Sequence, residues 1–148
     1  MIALIQRVSR ASVDINETEV AAISAGLMVL LGIHVDDSEK EARKLAQKTV
    51  SLRVFDDANG DMNLDVTSVE GGVLIVPNFT LAADTSRGNR PGFSTAMPPK
   101  DAEPLFELFA TETRELTKDV QTGVFGADMR VSLVNDGPIT ISLETKNT

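Results

Sequence analysis

The chain has 148 residues, of which 42% are hydrophobic and 24% charged, and its formal net charge is −8. It contains no cysteine and a single histidine, His34, which excludes disulfides, cysteine-based zinc sites and multi-histidine metal sites. The acidic balance disfavours broad, sequence-independent binding to a nucleic-acid backbone, but it allows an enzyme that grips only the end of a nucleic acid.

The length and the even composition predict one domain over residues 1–148, large enough to bury a core. No apolar run approaches the roughly 20 residues that a membrane span needs. The N-terminal apolar run precedes its charges, which is the wrong order for a signal peptide. We therefore expect a cytoplasmic protein without a membrane partner.

Strands dominate the first part of the chain. Short strands are expected over residues 2–8, 11–15, 19–23 and 27–33. The run LMVLLGI at 27–33 is almost continuously apolar, which is typical of a strand buried on both faces.

A helix follows, with Ser38 and Glu41 in the spacing of a capping box. One helical face is apolar or small: Ala42, Leu45, Ala46, Thr49 and Leu52. Residues 56–63 read as a polar turn centred on an Asn-Gly pair, and residues 72–77 as a second buried strand.

The second half begins with a long irregular segment at 84–99, which length alone marks as functional or mobile. A second helix is expected from Ala102 to Lys118, with Asp101 as its N-cap and Pro104 in its first turn. Strand-like runs follow at 120–125, 129–134 and 138–143. The two helices should lie on one side of a mostly antiparallel β layer.

Residues 135–138 read Asn-Asp-Gly-Pro and separate two strand-like runs. The Asp-Gly pair suits a hairpin turn, because glycine adopts positive φ at low cost. Pro138 then removes a backbone donor where the next strand should begin to pair. Local rules therefore predict an awkward hairpin at this point.

Few side chains indicate chemistry. His34 ends a buried-type strand, and Thr80 is a possible nucleophile for which the sequence supplies no obvious histidine base. Arg87 and Arg90 lie in a glycine-containing loop and are suited to meet phosphate. A further apolar pair, Phe125 and Met129, either lines a pocket or fills the core.

Three stretches together resemble the D-aminoacyl-tRNA deacylase family over nearly the full length. They are the opening MIALIQRVSRASV, the middle VLIVPNFTLAADTSRGNRPGFS and the ending QTGVFGADMRVSLVNDGPIT. The family signature SQFTL corresponds to residues 77–81, where Pro77 and Asn78 replace serine and glutamine. The second family signature, NxGP, matches residues 135–138 fully.

The resemblance implies a homodimeric, cytoplasmic hydrolase of three-layer β/β/α architecture, with a barrel-like β layer, two main helices on one side and no cofactor or metal. Its substrate would be the aminoacyl-tRNA 3′ end, from which it would cleave D-amino acids, and glycine mischarged on tRNA-Ala. A cis Gly137-Pro138 bond would reject L-aminoacyl esters in the pocket of the partner protomer.

The resemblance also assigns roles to individual residues. Main-chain groups of Asn78, Phe79 and Thr80 would stabilise the oxyanion, and water would attack with help from the ribose 2′-OH. The resemblance further assigns positions that line or support the pocket: Pro77, Phe125, Met129, Ala102 and Arg7.

Two alternatives remain at this point. The Pro77-Asn78 pair is closer to a relaxed-chirality branch, which has Pro-Gln there and also removes L-alanine from mischarged tRNA. A non-catalytic module that binds RNA ends or a small ligand is the other alternative.

Overall fold

The computed structural model describes residues 1–145. The strands of that part are β1 Ile2–Ile15, β2 Thr18–Ile23, β3 Gly26–Gly32, β4 Phe55–Asp56, β5 Met62–Leu64, β6 Gly72–Pro77, β7 Val120–Thr122 and β8 Arg130–Glu144. The helices are α1 Glu39–Ser51 and α2 Pro99–Leu116, and a 3₁₀ turn spans Phe79–Ala82. None of the helices in this range is long and apolar enough to cross a membrane.

The main sheet is mixed and has the order β2-β1-β3-β6-β7, with β8 on the other edge of β1. Strand β1 pairs antiparallel with β2, β3 and β8, whereas β3 pairs parallel with β6 and β6 parallel with β7. Because β1 is long, its first half lies beside β3 and its second half beside β2. The sheet therefore curls toward a barrel.

Two apolar clusters lie on opposite faces of this sheet. The larger one joins strand residues such as Leu27 and Ile75 to the inward faces of α1 and α2. The smaller one is formed by strands alone and contains residues that adjoin those of the first cluster in sequence, such as Met28 and Leu74. Since successive side chains of a strand alternate between faces, β3 and β6 are apolar throughout to serve both clusters. The predicted β/β/α layering is confirmed.

Helix α1 begins as the sequence predicted. Ser38 is its N-cap, and the Glu41 carboxylate accepts the backbone N–H of Ser38 at 2.7 Å. The Ser38 hydroxyl also donates to this carboxylate, and the hydrogen bonds from the Ser38 hydroxyl and backbone N–H hold the pKa of Glu41 below its usual value. The predicted apolar face is buried up to Thr49, and Leu52 follows as the half-buried C-cap.

Helix α2 begins earlier than predicted, at Pro99 instead of Ala102, and ends at Leu116. The predicted N-cap, Asp101, lies inside the first turn, where an acidic side chain complements the helix dipole. Pro99 suits the first helical position because the missing N–H has no intrahelical partner there. Pro104 is consequently inside the helix, not in its first turn.

Two predicted strands, 2–8 and 11–15, form the single strand β1. The predicted hairpin at 135–138 is also wrong, because β8 runs through this segment without reversing. The β1–β8 pairing skips from Gln6↔Thr140 to Val8↔Asn135. Residues 136–139 therefore form a bulge opposite Arg7, where a proline displaces no ladder hydrogen bond.

Candidate functional site

An open cavity of about 890 Å³ lies at the carboxyl ends of the parallel strands β3 and β6. Such a volume is within the roughly 300–1,000 Å³ typical of small-molecule sites. Its walls come from the strand ends, the segment before α2 and the connection from β7 to β8. The lining residues are Leu30, Leu31, Ile33, Val76, Pro77, Asn78, Phe79, Phe93, Ser94, Ala96, Met97, Pro98, Pro99, Ala102, Phe125, Gly126, Ala127, Met129 and Val131.

Phe125 and Met129 line this cavity and also pack against the core. The ring centroids of Phe125 and buried Phe106 lie 5.9 Å apart. Met129 packs on the strand-only cluster, and its Sδ would lie 2.8 Å from a Cβ added at Gly123. The sequence left open whether these side chains fill the core or line a pocket. They do both, since each packs on the core on one side and forms cavity wall on the other.

The segment Pro77 to Thr80 carries β6 into the 3₁₀ turn at the cavity wall. Pro77 is paired with Leu31 of β3, and it has no N–H to donate. Asn78 N–H donates to the Leu31 carbonyl at 2.8 Å and so continues the parallel pairing by one residue. The chain then turns away from the sheet, which leaves Phe79 and Thr80 exposed.

The Thr80 hydroxyl donates to Oδ1 of Asn78 at 2.5 Å. An amide oxygen is not a base, so this contact fixes the hydroxyl without activating it as a nucleophile. Thr80 is therefore held in place by the same residue that departs from the family signature.

The backbone donors at this segment differ from the set expected from the sequence. Asn78 N–H is occupied by Leu31, so it is not free to hold an oxyanion. The N–H groups of Phe79 and Thr80 open the 3₁₀ turn, where no preceding turn supplies a carbonyl. Neither N–H has a hydrogen-bond partner among residues 1–145, and Phe79, which carries one of them, lines the cavity.

The mouth of the cavity is aromatic. The rings of Phe79 and Phe93 meet edge to face with their centroids 5.0 Å apart. Phe79 is 60% exposed and Phe93 40%, so the two rings together present an apolar surface at the mouth.

Among residues 1–145, the side chains that line the cavity include none that ionises. In the same range, no group of three or more His, Cys, Asp or Glu side chains could hold a metal ion. His34 is half-buried after β3 and does not line the cavity, and its backbone N–H donates to Asp37 Oδ2 at 2.7 Å. Polar chemistry at the walls is left to main-chain groups, Asn78 and Ser94.

The bulge at 136–139 forms a second feature, held by Arg7. Arg7 Nε donates to the Asp136 carbonyl at 3.0 Å, and its Nη1 donates to the Val54 carbonyl at 2.8 Å. Asn135 spans the bulge, because its Oδ1 accepts the Ile139 N–H at 2.9 Å and its Nδ2 donates to Thr140 Oγ1 at 2.8 Å. Both sides of the bulge are therefore tied to β1 and to each other.

Gly137 and Pro138 are exposed at the tip of this bulge, and the peptide bond between them is cis. Gly137 has φ of +144°, and a Cβ built there would meet the Ile139 nitrogen at 2.8 Å. A larger residue at 137 would have to displace backbone, so only glycine fits this geometry.

The predicted site residues thus fall into two groups. Six line the cavity: Pro77, Asn78, Phe79, Ala102, Phe125 and Met129. Thr80 follows them at the mouth, whereas Arg7, Gly137 and Pro138 form the bulge and do not line the cavity of their own chain.

The sequence marked the segment 84–99 as functional or mobile but did not assign its residues 93–99, or the strand ends, to a cavity wall. Of two signals for this wall, one was readable in the sequence. Phe93 and Met97 are large apolar residues within an irregular segment, and ligand sites in α/β sheets lie at the carboxyl ends of parallel strands. The second signal was not readable, because the parallel pairing of β3 with β6 is not written in either strand.

A family model described as D-Tyr-tRNA(Tyr) deacylase matches residues 4–144. Proteins named D-aminoacyl-tRNA deacylase from Geotalea uraniireducens and Janthinobacterium sp. are 53% and 55% identical to this chain. The first alignment covers 98% of this chain and 94% of the relative, and the second covers 99% and 98%.

Two solved structures are similar to the whole described fold. A c-Myc DNA unwinding element binding protein has a TM-score of 0.94 at 39% identity, over 98% of this chain and 99% of that one. A probable eukaryotic D-amino acid tRNA deacylase has a TM-score of 0.82 at 15% identity, over 96% and 97% of the two chains. The second likeness is one of fold alone.

Replacing Arg7 by Met should destabilise the protein by about 1–3 kcal/mol, because the Asp136 and Val54 carbonyls lose their charged donor. Urea unfolding of the purified variant measures this change. Arg7→Lys is the matched control and should recover part of the loss, since it keeps the charge but not the fork. Equal stability of the Met variant and the parent would show that Arg7 does not hold the bulge.

Proposed function

This chain belongs to the D-Tyr-tRNA(Tyr) deacylase family and hydrolyses the ester bond in D-aminoacyl-tRNA; we propose that it catalyses this hydrolysis with backbone groups instead of a side-chain nucleophile. The aminoacyl end of the tRNA enters the 890 Å³ cavity, with the terminal ribose at the mouth beside Phe79. The observation that carries the proposal is that the family signature segment, residues 77–81, contributes Pro77, Asn78 and Phe79 to the wall of that cavity.

In this mechanism water attacks the ester carbonyl, and the N–H groups of Phe79 and Thr80 donate to the oxyanion that develops. These donors need no reorganisation, which is why such groups stabilise a transition state effectively. The ribose 2′-OH of the substrate assists the attacking water, whose proton passes to the ribose 3′ oxygen as the bond from that oxygen to the carbonyl carbon breaks and the free amino acid and tRNA leave. An ester activated in this way demands less than an amide, so a site without an ionisable wall residue is sufficient.

Chirality is selected by rejection. L and D esters share every atom type, so attraction to the common groups cannot separate them, and a clash must be built in. We assign that clash to the backbone at Gly137 and Pro138 of a partner protomer. The rigid bulge, tied by Arg7 and Asn135, suits this role, and it lies outside the cavity of its own chain.

Glycine has no Cβ for such a filter to reject, so glycyl-tRNA-Ala is a second substrate under the same mechanism. Since charged tRNA is the substrate, the protein would work in the cytoplasm. The acidic net charge is tolerable because recognition centres on an unpaired RNA end and not on a long duplex.

The Pro77-Asn78 pair supports one alternative, a relaxed enzyme that also accepts L-alanyl-tRNA. Asn78 has a shorter side chain than the usual glutamine, and its amide oxygen is engaged by Thr80. The other alternative, a module that binds RNA ends without turnover, is disfavoured because the family model and the relatives that match nearly the whole chain are named deacylases.

Ester loss from D-Tyr-tRNA, Gly-tRNA, L-Tyr-tRNA and L-Ala-tRNA, followed with purified protein, tests the function. We expect turnover of the first two only. Turnover of L-Ala-tRNA would favour the relaxed enzyme, and binding of all four without turnover would favour the non-catalytic module.

Thr80→Ala should retain roughly a tenth or more of the parent kcat, since only one neutral hydrogen bond to Asn78 is lost. Single-turnover kinetics on D-Tyr-tRNA measures the chemical step, with Thr80→Ser as the control that keeps the hydroxyl. A loss on the order of a thousand-fold or more in the Ala variant would instead make Thr80 the nucleophile.

If Gly137 and Pro138 complete the pocket of a second copy, the active species should have twice the 15.9 kDa mass of the chain. Sedimentation at several concentrations gives the mass, and activity at the same concentrations should fall as the dimer dissociates. A monomer with full, chirally selective activity would contradict the arrangement.

A further inference from the structure

The loop from Asp84 to Gly92 stands at the cavity mouth and has no role in the chemistry proposed above. Its ends are joined by two backbone hydrogen bonds, Asp84 N–H to the Gly92 carbonyl at 2.7 Å and Gly92 N–H to the Asp84 carbonyl at 2.9 Å. Residues 85–91 between them are exposed and contain Arg87 and Arg90. We name residues 84–92 the arginine loop.

The arginine loop is anchored beside the mouth. Phe93 follows it directly, lines the cavity and packs edge to face on Phe79. Thr95 Oγ1 donates to the Ala82 carbonyl at 2.6 Å, which ties the outgoing chain to the end of the 3₁₀ turn. The tip of the loop therefore projects from the rim at which the substrate must enter.

The two arginines are exposed and have no charged or hydrogen-bonded partner among residues 1–145. The nearest acid in sequence, Asp84, is already used, since its Oδ1 accepts the Ser86 N–H at 3.0 Å and the Ser86 hydroxyl at 2.6 Å. Arg7 and Arg43 are by contrast engaged by carbonyls or carboxylates of the same chain. Both guanidinium groups are therefore free to meet an anion at this rim.

We propose that Arg87 and Arg90 bind phosphodiesters of the unpaired tRNA 3′ end as it leaves the cavity. This proposal rests on the function proposed above, because it places the aminoacyl group in the cavity and the terminal ribose at the mouth. The nucleotides that precede the terminal ribose must then pass outward over the rim, which brings their phosphates close to the two arginines. A guanidinium fork matches phosphate oxygens in geometry as well as in charge.

The loop would grip the RNA and not the amino acid. Its contribution is therefore the same for every esterified residue, and it appears in KM instead of the chemical step. It also gives an acidic protein a local attraction for RNA that strengthens as the salt concentration falls.

The test compares two substrates that share the reacting ester. D-Tyr-tRNA carries the phosphates of the 3′ end, and 3′-O-D-tyrosyl adenosine carries none. For Arg87→Ala/Arg90→Ala we expect KM for D-Tyr-tRNA to rise on the order of tenfold at low salt with kcat unchanged. The slope of log affinity for the tRNA against log salt should become shallower by about 1.4, the value for two lost contacts to single-stranded RNA. Hydrolysis of the adenosine ester should not change.

A charge-matched control is Arg114→Ala/Lys118→Ala, which removes two exposed positive charges, one in the last turn of α2 and one just after the helix. Arg114 lies about 18 Å along the helix from cavity-lining Ala102, at 1.5 Å per residue. The control should leave KM for D-Tyr-tRNA near the parent value. Arg87→Lys/Arg90→Lys should fall between the parent and the Ala variant, since charge is kept and the fork is lost.

The possible outcomes distinguish a failure of the loop's proposed role from a failure of the proposed function on which it rests. A parent protein that hydrolyses neither substrate overturns the proposed function. A parent that hydrolyses both, with an Ala variant unchanged on D-Tyr-tRNA, overturns the loop's role alone. Equal losses on both substrates also overturn it, because the loop would then act on the cavity and not on RNA.

Discussion

The parallel pairing of β3 with β6 is the constraint on which the site depends. It sets Leu31 beside Pro77, so both strands end at one edge and the chain after each must leave the sheet there. The cavity is the space between the two chain segments that leave the sheet, and the start of α2 and the connection to β8 form its other walls. Because β3 and β6 bury both faces in apolar clusters, this edge is held rigidly.

The strand β1 provides the second constraint. It pairs with β8 on both sides of a register shift, and the residues that cannot pair are pushed out as the bulge at 136–139. A bulge is a suitable place for Gly-Pro, since no ladder donor is needed there. Arg7 then links the bulge to the β4 region through the Asp136 and Val54 carbonyls, so one side chain orients backbone from two distant segments.

The proposed use of backbone groups explains why the side chains gave little indication of chemistry. Main-chain donors at Phe79 and Thr80 carry no signature beyond the turn that exposes them. Asn78 illustrates the reverse case, because its N–H is consumed by the sheet while its side chain restrains Thr80. The replacement of glutamine by Asn78 therefore changes the surroundings of the Phe79 and Thr80 N–H groups more than it changes those N–H groups themselves.

The sequence alone determined the features that depend on near neighbours. The Ser38–Glu41 capping box, the buried face of α1 and the doubly buried strands were all predictable, because each follows from spacing over a few residues. The start of α2 was misplaced by three residues, since both Asp101 and Pro99 are acceptable local signals. The family resemblance pointed to the six cavity residues, three of them through the motif at 77–81, without giving the shape of the cavity.

Only the tertiary structure decided how these pieces meet. The hairpin expected at Asn135–Pro138 became a bulge because β8 had a long partner in β1, which no local rule can see. The contact from Arg7 to Asp136 spans 129 positions, and the cavity requires two strands to pair in parallel across an intervening helix and hairpin. Turns and caps are set by short-range sterics and hydrogen bonds, whereas register and strand partnership are set by the burial of whole faces, which exists only once the chain is folded.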